Sequence, residues 1–205
     1  MNRKLFALAA ALTAAVAARA QAPLQADVTA LYADHHESSG VSLDVGAAPT
    51  PPLFLGAEWT YLDPAWTDAS GGLPVHLSQE IDTFDAVARY TFTLWRPGYA
   101  ERAPGPGFFF PSIDGYVGGG AGVATVWERR SAGAFGYPPF GWYGFTDEDN
   151  GEFTGELAAG IQISLAPGAS LKVGYRYVAV TNVRLFGATA DIDKNVVEAG
   201  FNFRF

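Results

Sequence analysis

The residues able to do chemistry in this chain are few, and they fall into three groups. His35, His36, Glu37 and Ser38 stand together near the start, and His76 is the remaining histidine. A serine, a histidine and an acid can cleave or transfer an acyl chain when they converge in space. Four neighbours on one loop do not establish convergence, and no lipase-type serine motif is present. The sequence therefore points away from catalysis. Asp147-Glu148-Asp149-Asn150-Gly151-Glu152 offers the oxygen ligands that Ca²⁺ takes, but it lacks the full spacing of an EF-hand loop. It reads as a solvated acidic loop, so no metal and no cofactor is expected. Cysteine is absent, which removes thiolate metal sites and disulfides together. The third group is scattered: Asp44, Glu58, Asp85, Asp114, Glu156 and Glu198 on one side of the ledger, and Arg89, Lys172, Arg176 and Arg204 on the other.

What these charges can do depends on the segments that carry them. In 195–205, Val197, Ala199, Phe201, Phe203 and Phe205 alternate with Val196, Glu198, Gly200, Asn202 and Arg204. A strand has period two, so one face is apolar and the other largely polar. The same pattern recurs upstream. Leu171, Val173, Tyr175 and Tyr177 oppose Lys172, Gly174 and Arg176; Leu157, Ala159, Ile161 and Ile163 oppose Glu156, Gly160 and Gln162. Phe84, Ala86, Ala88, Tyr90 and Phe92 oppose Asp85, Val87, Arg89 and Thr91. Leu55, Ala57, Trp59 and Tyr61 oppose Gly56, Glu58 and Thr60; Val41, Leu43 and Val45 oppose Ser42 and Asp44; Ala26, Val28 and Ala30 oppose Asp27 and Thr29. The glycine-rich stretch 112–127 alternates more weakly, with Tyr116, Gly118, Gly120 and Gly122 on its polar face.

This makes about eight strands, each near the ten residues that a tilted membrane strand needs. Residues 49–52 and 166–169 are tight Pro/Gly turns. Segments 34–40, 63–79, 128–150 and 184–194 are expected as longer loops, which gives the short-turn, long-loop asymmetry of a membrane barrel. The connection 96–111, with Phe108-Phe109-Phe110, is long where a short turn is expected. A soluble sandwich or lipocalin-like barrel would have to bury the polar face, and that many charges cannot be buried cheaply. The expected fold is an all-β, antiparallel, up-and-down transmembrane β-barrel.

Composition agrees with that expectation. Hydrophobic residues are 49% and charged residues only 17%, yet after residue 20 no run of 18 apolar residues offers a membrane helix. Residues 1–20 have a basic start, an apolar run and Ala18-Arg19-Ala20 for a signal peptidase. Cleavage there leaves 21–205 as the barrel. Three of the thirteen basic residues lie in the leader, so ten remain against 21 acids, a formal charge of −11. That balance argues against a nucleic-acid partner.

Three segments carry a family resemblance: Tyr116-Val117-Gly118-Gly119-Gly120-Ala121-Gly122-Val123, Val173-Gly174-Tyr175-Arg176-Tyr177, and the ending Val197–Phe205. With these the chain resembles the small eight-stranded outer-membrane barrels, both the opacity-type surface proteins and the membrane domain of outer-membrane protein A. The resemblance implies residence in the outer membrane, among its lipid and lipopolysaccharide. It also implies that Phe205, supported by Phe203 and Phe201, is the signal read by the barrel-assembly machinery. The resemblance to the larger relatives does not extend to a peptidoglycan-binding domain, so a cell-wall tether is not expected.

Inside a barrel of about eight strands the lumen is just wide enough to be filled by side chains. Glu58, Arg89, Glu156, Lys172, Arg176, Glu198 and Arg204 are therefore expected as an interior ion-pair network. Glu58 and Arg89 lie on the third and fourth strands, and the others on the sixth to eighth, so two clusters of neighbours are expected to meet. A filled lumen leaves a monomeric surface or structural protein; an open one makes a narrow channel. The loop 128–150, with aromatics from Phe135 to Phe145, is expected to fold onto itself and the outer leaflet as part of an aromatic girdle or, alternatively, to offer a contact for an extracellular ligand.

Overall fold

The computed structural model describes residues 22–33, 38–63, 65–68, 75–96, 112–132, 143–185 and 188–205. The leader 1–20, His35–Glu37, most of the 96–111 connection and residues 133–142 of the aromatic loop lie outside these. The described chain is all strand: β1 (Leu24–Ala33), β2 (Ser38–Thr50), β3 (Leu53–Asp63), β4 (Ala65–Asp68), β5 (Val75–Trp95), β6 (Ile113–Ala132), β7 (Tyr143–Ala166), β8 (Ala169–Leu185) and β9 (Ala188–Arg204). Every pairing is antiparallel between sequence neighbours, except that β1 pairs with β9 and β3 pairs with β5. Both β3 and β4 lie against β5, so together they form one stave. The sheet is thus a closed, up-and-down barrel of eight staves, as the alternation predicts.

Closure fixes the tilt. From Tyr32 the register runs through Ser39 to Asp63 on β3. In the other direction it runs through Val197, Tyr175, Ala159, Val117 and Tyr90 to Leu53, ten residues away on the same strand. A stagger of ten over eight staves, at about 3.3 Å per residue and 4.8 Å between strands, tilts the strands by roughly 40°.

The two tight turns form as the Pro/Gly punctuation predicts. At one of them Pro167 is followed by Gly168 at φ 78°, a conformation glycine adopts without strain. The carbonyl of Gly168 accepts the N–H of Arg204, and the N–H of Phe205 donates to Leu24, each at 2.8 Å. These bonds tie the chain end to the turn end of the barrel.

The loop end differs from expectation. β5, β6 and β7 run 21, 20 and 24 residues, so much of 63–79 and 128–150 is strand. Asp147–Glu152 lies inside β7, paired with β6 through Trp127↔Glu148 and its neighbours, and is not a free loop. β8 and β9 likewise pair up to Leu185↔Ala188 within 184–194. The reason is physical. Alternation lasts only as long as one face meets lipid, whereas a backbone ladder continues wherever two strands stay in register.

The outer face carries Val28, Val45, Leu157, Ile161 and Val173, all exposed. Exposed aromatics flank them: Tyr90, Phe92, Phe201 and Phe203 toward the turn end, and Tyr32, Trp127, Phe153 and Tyr175 toward the loop end. That is the apolar band and double aromatic girdle of a membrane-spanning barrel. Beyond the loop-end girdle the outward positions turn acidic, at Asp63, Asp82, Asp191 and Asp193.

Candidate functional site: the barrel interior

Along β1, β2, β3 and β5 the inward positions form rows in register. Asp27, Asp44, Glu58 and Asp85 make one row of carboxylates. Two residues further toward the loop end, Thr29, Ser42, Thr60 and Thr83 make a row of hydroxyls. All eight are at most 2% exposed. The next inward positions are apolar, among them Leu31, Leu62 and Ile81.

Two of the three cations, Lys172 and Arg176, come from β8, and the third, Arg89, from β5. Arg176 of β8 is completely buried and is the hub. Its guanidinium pairs with Glu58 across the lumen, with Glu156 Oε2 at 3.0 Å, and through Nε and Nη2 with Glu198 Oε2 at 3.0 and 2.7 Å. Thr60 donates to Glu58 Oε1 at 2.7 Å. Lys172, two β-periods below, lies 3.2 Å from Glu198 Oε1 and 3.8 Å from Asp27 Oδ2. Arg89 of β5 reaches across to Asp27 and to Asp44, the latter at 2.5 Å. Asn202 donates to Asp27 as well. Charges buried this deeply are tolerable only when paired and hydrogen-bonded.

Two aromatics make the network compact. Tyr116 of β6 donates to Glu198, and its hydroxyl end lies over Gly160 and Gly174, a cross-strand pair on β7 and β8. A Cβ at Gly174 would run into the Tyr116 hydroxyl, so a glycine is what lets the ring lie there. Phe54 covers Gly46 and Gly56 in the same manner. The Arg89 guanidinium sits between the two rings, 5.2 Å from the Phe54 centroid and 5.6 Å from that of Tyr116, and Lys172 Nζ is 5.0 Å from Tyr116. Cations held over aromatic faces in a desolvated space gain electrostatically.

Above the ions, toward the loop end, Leu31, Ala33, Leu62, Ile81, Ala124, Val126, Val180, Val183 and Val196 form a buried apolar cluster, each at most 3% exposed. The lumen is thus polar in its turn-end half and apolar in a layer above it, with Ser38, Gln79 and Lys194 buried beside that layer at the loop end. Toward the turn end a polar cavity of about 400 Å³ opens among Gln25, Thr91, Asp114, Gln162, Asn202 and Arg204. Asn202 in its lining is the residue that donates to Asp27, so the cavity abuts the ion network.

The structure brings together Glu58, Arg89, Glu156, Lys172, Arg176 and Glu198. Arg204 is not among them: it is exposed at the turn end and joins no ion pair among the described residues. The expected neighbour pairing also differs. Glu58 and Arg89 sit on adjacent strands but do not pair; Glu58 turns to Arg176, and Arg89 to Asp27 and Asp44. Long side chains on one wall reach past their neighbours to the far wall of a narrow tube. Asp27 and Tyr116 are members the charge inventory passed over, although each stood on the polar face of its alternation. The phenylalanines lie as alternation predicts: Phe201, Phe203 and Phe205 are all exposed on the outer face or at its end, Phe205 most of all.

Of the residues named for acyl chemistry, His35, His36 and Glu37 lie outside the described residues. Ser38 is buried at the start of β2, and His76 lies on β5 opposite Thr67 and Ser131. Among the described residues no three His, Asp or Glu side chains converge as a metal-ligand set.

No family model and no curated protein matches the chain. Solved structures similar in fold include Neisserial surface protein A, at 14% sequence identity and a TM-score of 0.44 over 89% of this chain and 95% of that one. The attachment invasion locus protein Ail of Yersinia pestis gives 11% and 0.46 over 90% and 97%. A major outer membrane protein from Thermus thermophilus gives 13% and 0.47 over 89% and 99%.

Proposed function

We propose that this protein is a non-catalytic barrel of the outer membrane with a closed interior, acting at the cell surface through its loop end. The observation that carries this reading is the filled lumen. Arg176 and its three glutamates plug the middle, and nine apolar side chains close the space above them. A water-filled path would have to break a buried ion hub and then wet an apolar layer. The channel alternative therefore has no opening to build on.

The loop end supports the surface role. Crossing the lipid takes about 9–11 residues of tilted strand, and β1 and β3 have 10 and 11. β5, β6 and β7 are about twice as long. The surplus lies at the loop end, where β6 and β7 stay paired out to Ala132 and Tyr143, the residues that flank 133–142. On this reading the leader 1–20 is cleaved, the assembly machinery recognises Phe205 with Phe203 and Phe201, and the mature barrel is a monomer in contact with lipid and lipopolysaccharide. A ligand, where there is one, binds through 128–150.

Fractionation with protease treatment of intact cells tests location and orientation together. Cleavage inside 133–142 in intact cells, with the barrel retained in the outer-membrane fraction, is expected. Cleavage confined to 97–111 would invert the orientation and remove the surface role.

A further inference from the structure

The interior charges do not balance. Six carboxylates, Asp27, Asp44, Glu58, Asp85, Glu156 and Glu198, face the three cations Arg89, Lys172 and Arg176 at the level of the network. The ion pairs leave one carboxylate without a cation. Asp27 and Asp44 share Arg89, Glu198 has both Lys172 and Arg176, and Glu58 and Glu156 have Arg176. Asp85 closes the carboxylate row on β5, is 0% exposed, and has no cationic partner among the described residues. Neither of its oxygens has a hydrogen bond of good geometry, although the Thr83 hydroxyl is within reach.

Other unpartnered oxygens surround it. Thr83, two residues away on the same face, and Thr154 of β7 are buried with unpartnered hydroxyls. Gly122 lies between Asp85 and Thr154 in register and contributes no side chain, so no side chain of β6 stands between those two inward positions. Glu58 Oε2, on the neighbouring strand, is buried and unpartnered too. The site is all oxygen: one uncompensated carboxylate, two hydroxyls and a spare carboxylate oxygen. Hard cations take such ligands, and a single excess charge with neutral hydroxyls suits a monovalent ion. An unpaired carboxylate in a desolvated interior is costly, and a bound cation removes that cost.

We propose that the Asp85 carboxylate, with the hydroxyls of Thr83 and Thr154, holds a monovalent sodium-sized cation inside the barrel. The ion is a structural counter-charge for Asp85, the one carboxylate of the row that Arg89, Lys172 and Arg176 leave without a cationic partner among the described residues.

The test is refolding into zwitterionic lipid vesicles in NaCl or in choline chloride at equal ionic strength, followed by urea unfolding. Choline is too large for the site. The expected result is a higher wild-type midpoint in NaCl, rising with sodium concentration along the slope of one ion per molecule. Asp85→Asn, which keeps the shape and removes the charge, is expected to fold in both salts with one and the same midpoint, and Thr154→Val to weaken the sodium dependence. A wild-type midpoint identical in the two salts overturns the proposal. So does an Asp85→Asn protein that retains the sodium dependence, since the ion would then sit elsewhere.

Discussion

Replacing Arg176 by alanine removes the hub of the interior, and the structure sets the size of the effect. Glu198 keeps Lys172 at 3.2 Å and the Tyr116 hydroxyl, so it remains served. Glu58 keeps only the Thr60 hydroxyl, and Glu156 loses its one ion partner. Breaking a single buried pair costs about 3–5 kcal/mol because a charge is left stranded. The stranded groups have an escape, which is to take up a proton. For a glutamate of ordinary pKa near 4.3 that costs about 3.7 kcal/mol at pH 7. Two such groups set a ceiling near 7 kcal/mol, so the expected loss at pH 7 is about 4–7 kcal/mol. The escape also gives the effect a sign in pH. The folded variant would hold protons that the unfolded chain does not hold above about pH 5, so the variant gains stability as pH falls. The gain is about 1.4 kcal/mol per pH unit for each stranded carboxyl. The assay is urea unfolding in lipid vesicles at pH 8, 7 and 6, read by tryptophan fluorescence. Adding Glu58→Gln and Glu156→Gln to Arg176→Ala is expected to restore much of the stability and to abolish the pH dependence. An Arg176→Ala protein that unfolds within about 1 kcal/mol of wild type at all three pH values would refute the reasoning, because no charge would then have been stranded.

Three further outcomes follow from the same geometry. Arginine at Ala88 or Ala159, both exposed on the apolar outer face, is expected to cost about 2–4 kcal/mol; single cysteines from 86 to 90 should react with a lipid-soluble probe at Ala86, Ala88 and Tyr90 and stay protected at Val87 and Arg89. Gly174→Ala places a methyl group against the Tyr116 hydroxyl, with an expected loss of about 1–3 kcal/mol; a double variant with Tyr116→Phe, which lacks the colliding oxygen, should recover part of it, and an unchanged unfolding midpoint in Gly174→Ala would show that the ring is not wedged there. Phe205→Asp is expected to leave the protein in the periplasm and degraded, whereas normal outer-membrane levels of a heat-modifiable band would remove the terminal aromatic from the assembly signal.

The walls of this barrel were legible in the sequence, and its interior wiring was only partly so. Period-two alternation names the face on which a residue stands, so Arg89, Arg176 and Glu198 could be assigned inward and Ala88 and Phe201 outward before any coordinates. Alternation carries no information about what lies across the lumen. That depends on a stagger of ten residues accumulated around eight staves, and it is why Arg89 meets Asp27 and Asp44 and leaves Glu58 to Arg176. Asp27 was available to the same reasoning, since it stands between Ala26 and Val28 on the polar face of β1. Tyr116 was harder to see. Its importance comes from Gly160 and Gly174 on two other strands, and only the register brings those glycines beneath its ring. Arg204 misled by position: its face is right, but it is the last strand residue, past the depth at which the lumen is closed. The apolar layer near the loops was hidden because Leu31, Leu62, Val126 and Val196 occupy the nominally polar faces of their strands. The ladders at the loop end were missed because they outlast the lipid that imposes alternation.

The central claim is that the lumen is closed, and ionic current through the pure protein tests it most directly. Wild-type barrel inserted singly into a planar bilayer in 1 M KCl, roughly a 3 Å Debye length, has its surface charges screened, so the recording reports the lumen itself. With Arg176 buried among Glu58, Glu156 and Glu198 and the apolar cluster above them, the expected record is a flat baseline with no steady open level at either polarity. Large, steady, stepwise currents from verified single insertions would contradict the account, because they require a continuous water path through the space that Arg176, its glutamates and the apolar cluster fill.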